Sequence, residues 1–428
     1  MSIDFDGMVA RLEDVAGAAN VSANPGIEIG SIKPRVRVEP ASAEETAACL
    51  RTCGDFGAAV VPSGARTWLD GGNPLRTGDV LLSMRRMSRV VEYSPPDLTA
   101  TLECGVALSE FNRIAKAEKQ WLPLDPPGSP DSTIGAIVAC GSSGTLRFGF
   151  GTPRDYVLGL TLAHADGSLS KSGGKVVKNV AGYDMNKLYT GSYGTLAVIT
   201  NVTVKLRPVP ERSSTLAITA NDTDALFELA RNILAGGLRP ASLFVLNRAL
   251  SLRVGLAATS PVLLVRFLDD ELAVTYQVEK AAQLSNACCN VRLISSDGEP
   301  KIWRALADLD AVTEICVRLS VPMSQTKPAA ELCASAPLHS SLISADVAAG
   351  SVRLAFDVEA GAAGIIERVR DEVKSMGGTV FVERAPLEVK MKAGAWNDPG
   401  PTASIMTAIK AKLDPTSILS PGRFVAGI

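Results

Sequence analysis

The run Gly174-Lys175-Val176-Val177-Lys178-Asn179-Val180-Ala181-Gly182-Tyr183-Asp184, followed by Gly191-Ser192-Tyr193-Gly194-Thr195-Leu196-Ala197-Val198-Ile199-Thr200, decides how this chain is read. It places small residues and glycine where a backbone must come close to something, then runs into a β-branched strand. Two more glycine-bearing loops lie upstream. In Val61-Pro62-Ser63-Gly64-Ala65-Arg66-Thr67-Trp68 a strand opens into a small-residue loop whose N–H groups can converge. Such a nest binds a phosphate without needing a cation. A tight turn is the plain alternative. The guanidinium of Arg66 either adds charge to a bound phosphate or blocks the loop.

The other loop runs from Asp125-Pro126-Pro127-Gly128-Ser129-Pro130-Asp131-Ser132-Thr133-Ile134-Gly135-Ala136 to Cys140-Gly141-Ser142-Ser143-Gly144. Three prolines stiffen its first half, and Gly135, Gly141 and Gly144 strip side chains from its second. This suits a wall against a flat aromatic ring, with Ser and Thr hydroxyls at the ring's polar edge. A purely structural Pro/Gly loop is the alternative.

Around these loops the chain reads as α+β. Residues 1–35 are a helical lead-in and a loop. Strands are expected at Val60-Val61, Asp79–Ser83, Thr99–Cys104 and Tyr156–Ala165, and helices at Glu44–Cys53 and Leu108–Lys119. Pro208-Val209-Pro210 marks a boundary, because two prolines in three residues end a strand. Beyond it come a strand at Leu216–Ile218 and a helix at Asp222–Ala235, capped by Asn221 and stopped by Gly236-Gly237. Strands at Leu243–Leu246 and Val262–Phe267, a helix at Asp269–Leu284 and a strand at Val291–Ile294 complete a ferredoxin-like cycle. A similar cycle recurs from Ile315 to Val382, and a helix near Thr402–Leu413 closes the chain.

The 428 residues call for two or more domains. Lys and Arg total 43 against 45 Asp and Glu, for a net charge of -2, so nothing points to nucleic acid. The start, Met1-Ser2-Ile3-Asp4-Phe5-Asp6, has neither a basic nor an apolar region, and no apolar run reaches the ~20 residues of a membrane helix. The expectation is a cytoplasmic protein with no direct membrane span, any membrane attachment coming through partners. The eight cysteines are scattered and read as reduced thiols, with no metal site. Cys104 and Cys140 read as buried small residues. His164 and His339 are the only histidines. In the C-terminal half Arg318, Arg384, Lys390, Lys392 and Arg423 could hold a carboxylate. A solvated or partner-facing surface is the alternative, with Arg384 and Arg423 as the preferred exceptions.

These loops and their order resemble the FAD-binding domain of the vanillyl-alcohol-oxidase-like (PCMH-type) flavoproteins, and most of all the FAD-binding subunits of bacterial glycolate oxidases. Gly149, Gly151 and Asp155 match as well, as do Arg318–Ser324, Val380–Pro386, Trp396 and the stretch from Ile409 to Arg423. Arg66 departs from the small residue usual in the family, and Ser420 from the usual Asn. The resemblance implies a PCMH-type two-part FAD-binding domain over 36–208, a ferredoxin-like α/β cap over 211–400, and a short return to the FAD domain over 401–428. It implies non-covalent FAD, since no early His can tether the flavin. The FAD-binding residues would be Pro62, Ser63, Gly64, Ala65, Arg66, Thr67, Asp125, Pro126, Pro127, Ser132, Thr133, Gly135, Ala139, Ser142, Ser143, Gly144, Gly191, Gly194, Thr195, Val198, Ile199 and Arg423. Tryptophan at Gly135 or Gly194 is expected to abolish FAD binding and spare much of the fold. The implied partners are a second flavoprotein subunit and an iron–sulfur subunit, and the implied substrate is a small 2-hydroxy acid. The chain lacks the histidines that metal-dependent relatives use, so no catalytic residue is assigned. His339, Tyr183 and Arg384 are the weak candidates. A stand-alone FAD-dependent dehydrogenase of another small alcohol or hydroxy acid stays open, as does a structural subunit with a decayed flavin site.

Overall fold

The computed structural model describes residues 3–128, 130–175, 183–220, 222–256, 260–285 and 289–428. The stretch from Val176 to Gly182 in the deciding motif, Ser129, the expected cap Asn221, and Cys288 lie outside them.

Two main sheets, a two-stranded ribbon of Gln120–Trp121 with Arg207–Pro208, and the helices on them build the first half. Val21–Ala23, Val36–Val38, Val80–Ser83 and Val60–Ser63 form a four-stranded sheet in that spatial order. Its three inner pairings set Val36 against Val80, Val60 against Val80 and Val21 against Val38, the last antiparallel. The strand Val60–Ser63 leads directly into the first glycine loop. A five-stranded antiparallel sheet orders Val90–Ser94, Thr99–Glu103, Val198–Lys205, Val157–Ala163 and Leu169–Gly173. The helix Ala43–Phe56 packs against this body. Ser42 caps it by accepting from the Glu45 N–H, and Gly57 ends it at φ 66°. Its inner face carries Ala47, Cys49, Leu50 and Cys53 into the core, so those cysteines are packing residues with thiols raised by burial.

The second half is one eight-stranded antiparallel sheet. Arg212–Ala220, Ser242–Leu246, Val262–Asp269 and Cys289–Leu293, with helices Thr223–Ala235 and Glu271–Leu284, form one βαββαβ unit. Ile315–Ser320, Leu342–Asp346, Ser351–Phe356 and Thr379–Arg384, with helices Thr326–Ala334 and Ala362–Ser375, form another. The two units join edge to edge, Phe244 opposite Asp346. The helix-covered face buries Leu216, Leu243, Leu263, Val317 and Val352.

One cap differs from expectation. The helix Thr223–Ala235 is capped by Asp222, whose carboxylate accepts from the Ala225 N–H at 2.7 Å. Asp222→Ala should therefore lower stability by about 1 kcal/mol in urea unfolding.

The chain end returns to the first half. Leu419 bridges Val60 in parallel, and Ile418 and Leu419 enter the first core. Lys410, on the helix Ala403–Leu413, pairs with buried Asp414 at 2.5 Å and donates to the carbonyls of Thr195 at 2.7 Å and Leu419 at 3.0 Å. One ammonium thus ties the last glycine loop to the tail. No helix among the described residues is long and apolar enough to cross a membrane.

Candidate functional site

The three loops meet because the helix Ile134–Cys140 lies between them. Its carbonyls at Val138 and Ala139 accept from Gly191 and Tyr193, at 2.9 and 2.8 Å. On the other side, Thr133 sits so close to Gly64 that a Cβ at position 64 would fall 2.0 Å from the Thr133 Oγ1. The result is a narrow slot lined by Pro62, Ser63, Gly64, Arg66, Thr67, Thr133, Gly135, Ala139, Gly194, Val198, Ile199 and Arg423. Trp68, Leu69, Met84, Cys104, Ala136, Cys140, Tyr193 and Ala197 complete its wall. Sequence reading assigned no contact to Trp68, Met84 or Ala197; the first and last lie within the quoted loops and Met84 follows the strand Val80–Ser83, and none carries a glycine signal.

The slot's chemistry fits a phosphate-bearing group with a polar ring edge. The backbone N–H groups of Ala65, Arg66, Thr67 and Trp68 donate to no acceptor among the described residues. The Thr133 Oγ1 is buried with no partner. A buried hydroxyl left open in this way is costly unless a ligand meets it. Arg66 adopts φ 67°, in the left-handed region, and is an exposed residue on the slot wall. Thr133→Val removes the orphan hydroxyl without changing shape. It is expected to weaken flavin retention about tenfold, ~1.4 kcal/mol, with an unchanged or raised melting temperature. Equilibrium dialysis against FAD, beside a thermal melt, checks both.

Other expected contacts are turned elsewhere in the fold. The Asp125 carboxylate accepts from the Thr145 hydroxyl at 2.6 Å and from the Thr145 and Leu146 N–H groups. Desolvation raises its pKa. Gly144 is needed against Asp125, since a Cβ there would lie 1.8 Å from the Asp125 carbonyl oxygen. Pro126 and Pro127 are buried. Ser132 holds the Thr67 hydroxyl at 2.9 Å. Ser142 closes the helix Ile134–Cys140 by donating to the Ile137 carbonyl. The Ser143 hydroxyl is buried without a partner beside a small polar cavity shared with Arg147, Arg318, Arg353 and Asp346. Thr195 is fully buried and donates to the Ser192 carbonyl at 2.7 Å. Gly135 also has a packing role: a Cβ there would lie 2.5 Å from the Cys104 Cβ and 2.9 Å from its carbonyl oxygen. Tryptophan at Gly135 would break this packing, so the expectation that it spares the fold is corrected. Gly194, at φ 68°, has the Pro62 ring nearest to where a Cβ would stand, at 3.4 Å.

Beside the slot opens a cavity of about 520 Å³. Arg66, Thr67, Trp68, Leu69 and Arg423 line both spaces. Arg384, Lys390, Asp70 and Glu383 line the cavity. An aromatic cluster braces the junction: Trp396 stacks on Phe381 at 4.2 Å and meets Tyr193 edge-on at 5.1 Å and Phe424 at 5.2 Å. Its indole N–H donates to the Arg423 carbonyl at 3.2 Å.

Two of the weak catalytic candidates lie away from both spaces. The His339 side chain is 94% exposed and pairs with Glu359 at 2.8 Å, which raises its pKa. Tyr183 is 95% exposed. Arg384 alone of the three reaches the cavity. His164 hydrogen-bonds Ser170 at 2.7 Å. Burial pushes the Cys140 thiol up to about 12 and the Tyr193 phenol well above its usual value, so neither is an anion at neutral pH. Among the described residues no three of His, Cys, Asp and Glu converge as metal ligands.

Residues 34–173 match the family model described as FAD binding domain. The glycolate oxidase subunit GlcD of Bacillus subtilis is 27% identical, over 92% of this chain and 89% of its own. The glycolate oxidase subunit GlcE of Escherichia coli is 37% identical over 37% of this chain and 45% of its own. Among solved structures, 4-ethylphenol oxidase from Gulosibacter chungangensis superposes with a TM-score of 0.74 at 14% identity, covering 100% of this chain and 99% of that one. The chain carries an FAD-binding domain in a PCMH-type α+β fold and is an FAD-dependent oxidoreductase related to the glycolate oxidase subunits.

Proposed function

We propose that this chain is the FAD-binding subunit of a glycolate-oxidase-type complex that oxidises small 2-hydroxy acids. The observation that carries the flavin part is the slot itself, with its row of open N–H groups and the orphan Thr133 hydroxyl. The loop Ser63–Thr67 would hold the pyrophosphate, and Gly135, Ala139, Gly194, Val198 and Ile199 would let the backbone approach the rest of the cofactor. When bound, FAD accepts the electrons of the reaction. Residues 36–208 would be the FAD-binding domain, 211–400 the cap and 401–428 the returning tail. The similarity to both GlcD and GlcE supports a complex with a second flavoprotein subunit. An iron–sulfur subunit would take the electrons onward, and any membrane attachment would come through these partners.

The cavity walls bear on whether this chain turns over alone. Removing the C2 hydroxyl proton calls for a base near neutral pKa or a metal. Neither histidine reaches the cavity, and Lys390, the cavity group whose pKa burial lowers to about 8, is tied up donating its ammonium to the Asp70 carbonyl. The isolated chain should therefore reduce an artificial acceptor dye with glycolate or lactate at under a tenth of the rate seen with its partners. Robust turnover of the chain alone, across a panel of 2-hydroxy acids, would replace the subunit reading with a stand-alone dehydrogenase.

A further inference from the structure

Two of the chain's non-glycine residues with a left-handed backbone, Arg66 and Tyr193, line the slot. Tyr193, at φ 56°, is the more costly of the two, because a bulky ring is rarely found in that region. Such strain persists only where the surroundings fix it. Here they do. The Tyr193 N–H donates to the Ala139 carbonyl at 2.8 Å. Its ring meets Trp396 edge-on at 5.1 Å, Phe381 at 6.1 Å and Phe424 at 6.2 Å. The ring also reaches just past the first glycine loop: a Cβ at Gly71 would stand 3.3 Å from its Cε1. One side chain of the third loop thus packs against the first loop, the second half of the chain and the returning tail.

The polar end of this ring has no protein partner. Tyr93 donates its hydroxyl to the Gln120 Oε1 at 3.1 Å, and Tyr156 to the Phe150 carbonyl at 2.6 Å. The Tyr193 hydroxyl forms no hydrogen bond among the described residues, although it belongs to the slot wall. Desolvation is the largest influence on it and holds its pKa well above the usual phenol value, so it stays a protonated donor at neutral pH. A buried tyrosine hydroxyl ordinarily finds a partner, and a phenylalanine would fill the same space without that cost. We propose that Tyr193 is a cofactor-binding residue, its hydroxyl donating a hydrogen bond to FAD in the slot while Trp396, Phe381 and Phe424 clamp its ring. The inference rests on the flavin reading above and adds to it a side chain, where that reading used backbone approach. FAD offers phosphate, hydroxyl and ring acceptors along its length. A ring already fixed in place loses little freedom when the cofactor enters.

The test is titration of FAD into the full chain stripped of cofactor, followed by flavin fluorescence, with the melting temperature of each stripped protein measured beside it. Tyr193→Phe keeps the ring and its aromatic contacts and removes the hydroxyl alone. It should weaken FAD binding about fivefold, the worth of one neutral hydrogen bond, while the stripped protein melts at the wild-type temperature or above it. Trp396→Leu releases one side of the clamp. It should weaken FAD binding in the wild-type background and much less in the Tyr193→Phe background. Equal FAD affinity in wild type and Tyr193→Phe would overturn the proposal and leave the residue a packing role. So would a loss of affinity matched by a lower melting temperature of the stripped Tyr193→Phe protein. Equal losses from Trp396→Leu in both backgrounds would overturn the clamp. A wild-type chain that takes up no FAD would sink the flavin reading itself, whereas uptake with no difference between wild type and Tyr193→Phe sinks this inference alone.

Discussion

Gly194→Trp is expected to strip FAD from the chain while leaving it folded. The backbone at this position is left-handed, φ 68°, and the loop places it on the slot wall. A side chain there would start 3.4 Å from the Pro62 ring, close but not clashing, and an indole would then extend into the space between the loops. The backbone cost of a non-glycine residue in this conformation is about 1–2 kcal/mol. That is a small part of the stability of a chain with two large cores. Flavin occupancy should fall at least tenfold in dialysed protein, with the far-UV spectrum unchanged. Retained flavin would mean that the third loop does not border the cofactor.

The second large effect is on stability. Lys410→Met should destabilise the first half by about 3–5 kcal/mol, because it leaves the fully buried Asp414 without its counter-charge. The same change frees the carbonyls of Thr195 and Leu419. Asp414 keeps its acceptor role toward the Ile418 and Leu419 N–H groups, at 3.1 and 2.9 Å. Adding Asp414→Asn removes the stranded charge and preserves an oxygen for those donors, so the double variant should recover much of the loss. Denaturant unfolding of the single and double variants measures this coupling directly. Equal destabilisation in both would mean that the charge pair matters less than the packing of the lysine stem.

Much of the fold was legible because it is written locally. Strand and helix periods, prolines at 208 and 210, and glycines at helix ends announce themselves within a few residues. The two βαββαβ units follow from their order of elements alone. Their joining through Phe244 and Asp346 does not, since an edge pairing has no local signature. The cap of helix Thr223–Ala235 shows the same limit at small scale. Asn221 and Asp222 are both good capping residues, and only the turn geometry chooses between them. Within the site, glycine loops were visible because close backbone approach demands glycine. The walls between them were not, because Trp68, Met84 and Ala197 have no composition signal. Cations were the hardest to place. Lys390 and Lys392 sit two apart on one short helix, yet one is 5% exposed and the other faces solvent. The buried one reaches the Asp70 carbonyl, 320 residues away along the chain.

The most direct test of the central claim is the absorption spectrum of the purified full chain, taken before and after acid precipitation. The account predicts flavin bands near one equivalent per chain, and a yellow supernatant whose released cofactor is FAD. A colourless protein, or flavin that stays with the precipitate, would contradict it.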